Sequence, residues 1–127
     1  MGATSLVGED ITAGHNVIEA LDGAGFPVKA AFWLYNSDAD TWKLWIGSPN
    51  AGRDLQRAYM KISEILSAVV DKPVLDLSRI KLVRQDDPLV KAIASVIRVK
   101  GLSDVRFRSN TVNGIYIPDA VIYRTAA

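Results

Sequence analysis

The feature that most constrains this chain is a pair of alternating segments, Pro27 to Tyr35 and Thr41 to Ile46. Between them lies the polar run Asn36-Ser37-Asp38-Ala39-Asp40. Period-two alternation marks a strand with two different faces, and a polar link of this length makes the pair a hairpin. One face carries Val28, Ala30, Phe32 and Leu34, matched by Trp42, Leu44 and Ile46 on the partner. The other carries Lys29, Ala31, Trp33 and Tyr35, matched by Lys43 and Trp45. A sheet is therefore unavoidable, and the question becomes what covers each side of it.

Helical segments supply the cover. Asp10 to Asp22 reads as a helix with Asp10 as N-cap, and Gly14 weakens it by about 1 kcal/mol relative to Ala. A stronger helix spans Gly52 to Val70, with Leu55, Ala58, Tyr59, Ile62, Ile65, Leu66 and Val69 spaced by three and four. Asp71-Lys72-Pro73 ends it, because proline cannot continue the hydrogen-bond ladder. Asp86-Asp87-Pro88 then opens a third helix, with an Asp cap followed by Pro at the first helical position. Gly101 reads as its C′ residue.

The remaining strands are Arg79 to Val83, Val105 to Val112 and Ile115 to Thr125. Asn113-Gly114 is a strong two-residue hairpin signal, and it places Phe107 opposite Ala120 and Arg108 opposite Asp119. Pro118 predicts an edge position or a bulge. The order is α-β-β-α-β-α-β-β. Both connections that contain the later helices are long enough for parallel crossovers. The expected fold is a single α+β domain over residues 1–127, with a mixed five-stranded sheet and its helices mainly on one face. Residues 1–8 are read as a flexible N-terminus.

Composition narrows the function classes. The 127 residues suit one domain. No Cys rules out a disulfide scaffold, a cysteine nucleophile and a Cys-based zinc site, and a single His rules out a multi-histidine metal site. No secretory signal or membrane-spanning run is visible, so the expected location is the cytoplasm. No cofactor is implied, since no glycine-rich phosphate loop or metal-ligand spacing is present.

Individual residues offer little chemistry. His15 and Glu19 sit four apart on one helical side, the spacing of a base held by a carboxylate, although a surface histidine fits as well. Asn36 to Asp40 resembles the start of a calcium loop but lacks its glycine and its final glutamate, so it reads as a turn. Asp87 reads as a helix cap rather than a metal ligand. Gly47 to Gly52 lies between a strand and a helix, where an anion can bind, but it reads more simply as a connection.

The sharper expectation concerns the second face of the sheet. Six of the ten aromatics fall between Phe26 and Trp45. If helices cover the Phe32 face, Trp33, Tyr35 and Trp45 point away from them. Lys29, Lys43, Lys81, Arg106 and Arg108 join those rings on the same alternation. Rings interleaved with cations suit a protein partner or bases and phosphates. The first expectation is a non-enzymatic interaction module that self-associates as a homo-oligomer, or binds a protein partner, through this face. The alternatives are nucleic-acid binding on the same face, and a small enzyme centred on His15 or the Ser48 loop. Charge is segregated along the chain. Residues 1–78 hold 6 basic and 10 acidic side chains, and residues 79–127 hold 9 and 4. Such a dipolar chain suits self-association or a local polyanion site.

Overall fold

Local chemistry sets where each element begins. In the computed structural model, which describes residues 6–112 and 114–125, α1 spans Gly8–Gly23. Val7 rather than Asp10 is in the cap position, and Asp10 lies inside the first turn, 3.3 Å from Arg79. Leu6 is buried in the core, while Val7 and Gly8 at the start of α1 are exposed. Strands β1 (Ala30–Asn36) and β2 (Thr41–Gly47) form the expected hairpin. Helix α2 (Leu55–Ser67) starts later than the periodicity predicts. Asp54 caps it by accepting the Arg57 N–H at 3.1 Å, and Pro49–Gly52 forms a separate 3-10 turn. Strand β3 is Ile80–Val83. Helix α3 (Pro88–Val96) begins as its sequence signal predicts, with Asp87 accepting from Leu89 at 2.9 Å and Val90 at 3.4 Å. It ends at Ile97 in extended backbone, and Gly101 sits beyond it at positive φ.

The last expected hairpin is split. Phe107 pairs with Ala120 between β4 (Val105–Phe107) and β7 (Ala120–Arg124), and Val112 pairs with Ile115 between β5 (Asn110–Val112) and β6 (Ile115–Ile117). Both halves keep one register, but the ladder breaks where Pro118 has no N–H to give. There the Ser109 N–H bonds the Asp119 carboxylate at 2.7 Å instead. Asn113 of the turn lies outside the described residues.

The main sheet is mixed, in the order β3-β2-β1-β7-β4, with β5 and β6 as a separate pair. Only the β2–α2–β3 connection is a parallel crossover, because β4 lands on the far edge, antiparallel to β7. Among the described residues this is a single α+β domain with three helices, two of them on one side of the sheet.

The hairpin register differs from expectation, and the difference decides the faces. Asn36 pairs with Thr41, so Phe32 lies opposite Trp45 and Trp33 opposite Leu44. The loop is one residue shorter than the polar run, and a one-residue slip exchanges every side chain between faces. Ala31, Trp33, Leu44, Ile46, Val121 and Tyr123 meet α1 and α2 in one cluster. Ala30, Phe32, Leu34, Ala120 and Ile122 form the other with α3 and Ile117 of β6. The second face is thus not bare, because α3 and the β5–β6 pair cover much of it.

Two polar devices lock α1 in place. The Trp33 Nε1–H donates to the Tyr123 hydroxyl at 2.9 Å, which donates in turn to the Ile11 carbonyl at 2.6 Å. Gly14 passes directly over this pair. An added Cβ would sit 2.6 Å from the Tyr123 hydroxyl and 2.8 Å from Trp33 Nε1. At the other end of the helix, the buried Arg124 guanidinium donates to both oxygens of Asp22, at 2.9 and 2.7 Å. It also donates to the carbonyls of Val28, at 3.1 Å, and Gly101.

Candidate functional site: an aromatic and basic groove

The register creates one residue row that crosses all five strands. It runs Val105, Ile122, Phe32, Trp45, Lys81. The next row runs Phe107, Ala120, Leu34, Lys43. Both begin apolar beneath the cover of α3 and β6 and end in a lysine toward the β3 edge. There the cover stops, leaving a groove of about 830 Å³. Trp45, Lys43 and Lys81 line it, with Tyr116, Pro118 and Asp119 from the hairpin, Tyr59 from α2, and Tyr35, Asn36 and Thr41 around the β1–β2 turn. The volume lies in the range of small-ligand clefts.

Trp45 is half-buried between its row neighbours. Its ring stacks on Phe32 with centroids 6.0 Å apart and planes at 21°. The Lys81 ammonium lies 4.4 Å from the ring centroid, a cation–π contact. Neither Lys43 nor Lys81 forms an ion pair among the described residues. Two lysines therefore line the groove outside any such ion pair, and the one described carboxylate in the lining, Asp119, is bonded to the Ser109 N–H.

The tyrosines differ in freedom. Tyr35 donates to Asp40 at 2.6 Å and packs on Trp42, with centroids 5.4 Å apart. The hydrogen bond to Asp40 holds its phenol above the usual tyrosine range. Tyr59 accepts the Leu82 N–H at 2.8 Å, which closes part of the open edge of β3. Tyr116 is 62% exposed.

The sequence expectation is thus divided. Lys43 and Trp45 come together at the groove, joined by Lys81, while Tyr35 borders it at the turn with its ring packed on Trp42, on the Trp33 side of the sheet. Trp33 leaves the set: it is fully buried on the opposite face, with Arg79 stacked 5.0 Å over its ring. The shorter turn is the cause. Arg106 also leaves, because β4 is the far edge of the sheet from β3, and Arg108 is not among the lining residues although the adjacent Ser109 is. Arg106 pairs with Val121, on the Trp33 side. Lys29 precedes β1 and bonds Gly47, at the opposite end of the hairpin from Lys43. Tyr116 and Tyr59 were not anticipated. Tyr116 alternates with Ile115 and the buried Ile117, a signal too short to read alone, and Tyr59 sits within an apolar helical stripe.

The other sequence candidates resolve locally. Glu19 pairs with Lys72 at 2.8 Å instead of His15, and this bond lowers the Glu19 pKa. His15 instead meets the Tyr123 ring edge-on at 6.5 Å. Asn36 Oδ1 accepts the N–H groups of Asp38 and Ala39, as a turn residue does. Ser48 is buried and caps the following 3-10 turn. Among the described residues no three potential ligands cluster for a metal, and no helix is long and apolar enough to cross a membrane. No family model, curated protein or solved structure matches the chain.

Proposed function

We propose that this chain is a small interaction module without a catalytic centre of its own, and that its partner seats in the Trp45 groove. The observation that carries the reading is the pair of lysines, neither in an ion pair among the described residues, beside a half-buried tryptophan in a concavity floored by strands. Aromatic and cationic side chains in one concave site are the usual anchors of recognition. The concavity favours an inserted ligand segment over an isologous contact between two copies. A two-fold pairing through a groove sets hollow against hollow.

The test is amide chemical-shift mapping of the intact protein at low salt. Three probes are used: a 12-residue oligothymidylate, poly-glutamate, and the protein itself over a concentration series. The reading expects at least one probe to move Lys43, Trp45, Lys81 and Tyr116. Shifts confined to other surfaces, or none with any probe, overturn it.

A further inference from the structure

Resting on that reading, we infer that the partner is a single-stranded nucleic-acid segment, with its phosphates on Lys43 and Lys81 and a base on Tyr116. Three observations point to this class. First, the two lysines lie on adjacent strands, offset by two residues along the sheet, because Lys81 pairs with Trp45. Ordinary strand spacings put their Cα atoms about 8 Å apart. Flexible lysines at that separation reach neighbouring phosphates of one strand. Second, Trp45 is already flanked by Phe32 and by the Lys81 ammonium, so it forms the floor and is not the free platform. Tyr116 is the exposed ring on the groove wall, on a hairpin that rises from the sheet. Third, the lining is polar, with the Asn36 amide N–H and the Thr41 hydroxyl offering hydrogen bonds to a base edge.

An acidic peptide satisfies the lysines but makes no use of the exposed ring. A duplex satisfies the phosphate contacts but keeps its bases stacked and out of reach. Single strands use both features, because every base has a π-face. The overall charge of +1 limits the attraction to this local site.

The experiment measures binding of labelled oligothymidylate, the matching duplex and poly-glutamate by anisotropy, from 20 to 200 mM salt (roughly the range over which phosphate contacts are lost). Single strand is expected to bind at least tenfold more tightly than duplex or poly-glutamate. Each of Lys43→Ala and Lys81→Ala is expected to flatten the slope of log affinity against log salt by about 0.7. Tyr116→Ala is expected to weaken binding about tenfold, while Tyr116→Phe keeps it. Lys100→Ala, outside the groove, is expected to change affinity less than twofold. Tyr116 and both lysines are exposed, so these variants fold, and circular dichroism checks that they do. Equal binding of duplex, tighter binding of poly-glutamate, or an unaffected Tyr116→Ala overturns the nucleic-acid assignment. If poly-glutamate or a second copy still moves the groove amides, the interaction-module reading survives that failure. If no probe moves them, both fall.

Discussion

The indole of Trp33 and the phenol of Tyr123 share a buried hydrogen bond of 2.9 Å between residues 90 positions apart. That bond joins β1 to β7, and the Tyr123 hydroxyl passes it on to α1 through Ile11. Tyr123→Phe removes one atom and strands the buried Trp33 N–H, while the Ile11 carbonyl keeps its place in the α1 ladder. The expected loss is about 1–3 kcal/mol, the cost of an unsatisfied buried polar group. Urea unfolding checks it, and an unchanged midpoint refutes the account.

The same hydroxyl carries a pH dependence. Burial pushes the Tyr123 pKa up to about 12. An unfolded tyrosine titrates near 10. Between those values the folded state keeps a proton that the unfolded state has lost. The contribution is therefore whole below about pH 10 and declines as pH rises toward 12. The stability of the natural chain should fall across that window more steeply than that of Tyr123→Phe. Parallel pH profiles of the two proteins count against the assignment.

Gly14 offers a sign test. Helix propensity alone predicts that Gly14→Ala stabilises by about 1 kcal/mol. The 2.6 and 2.8 Å approaches to Tyr123 and Trp33 predict the reverse. Overpacking of this kind typically costs about 1–3 kcal/mol, so the expected outcome is net destabilisation. Gly23→Ala is the control, because an added Cβ there meets nothing within 4 Å. It should be neutral or mildly stabilising in the same thermal melt.

Arg124 should be more sensitive than its charge alone implies. Its guanidinium ties the end of α1, the approach to β1 and the Gly101 turn to β7. Asp22→Ala leaves that buried cation with carbonyls only. Asp22 is 40% exposed, so solvent moderates the loss, and about 1–3 kcal/mol is expected. A double-mutant cycle with Arg124→Met measures the coupling. A coupling energy of zero removes the pair as a staple.

The three tryptophans should report their positions directly. Trp33 is fully buried, while Trp45 lies beneath the Lys81 ammonium at the groove. Iodide, drawn to that cation, should quench the natural chain well and Trp45→Phe poorly. Trp33→Phe should leave iodide quenching nearly intact. Equal loss in both variants contradicts the assigned faces.

Alternation and capping made the elements legible. Asp87-Pro88 starts a helix because its chemistry is local, and Asn113-Gly114 set the Phe107–Ala120 pairing because a two-residue loop permits one register. The first hairpin misled for the opposite reason. Its longer polar run permits two registers, and the Asn36 side chain selects between them by folding over the turn. The choice sent Trp33 inward and Trp45 toward the groove. Strand order had no local signal either, so nothing in the sequence separated Arg106, at one edge of the sheet, from Lys81 at the other.

The place of β7 has a consequence for how the molecule assembles. Its alternating side chains feed both clusters, with Ala120 and Ile122 on one side and Val121 and Tyr123 on the other. Yet its partner β1 lies some ninety positions earlier. The hairpin, α2 and β3 can gather early through short-range contacts. Neither hydrophobic layer is complete until this late segment slots between β1 and β4. Topologies with such distant pairings fold slowly. Until then the nascent chain holds an open seam at β1, which carries Phe32, Trp33 and Leu34, exposed to any passing strand.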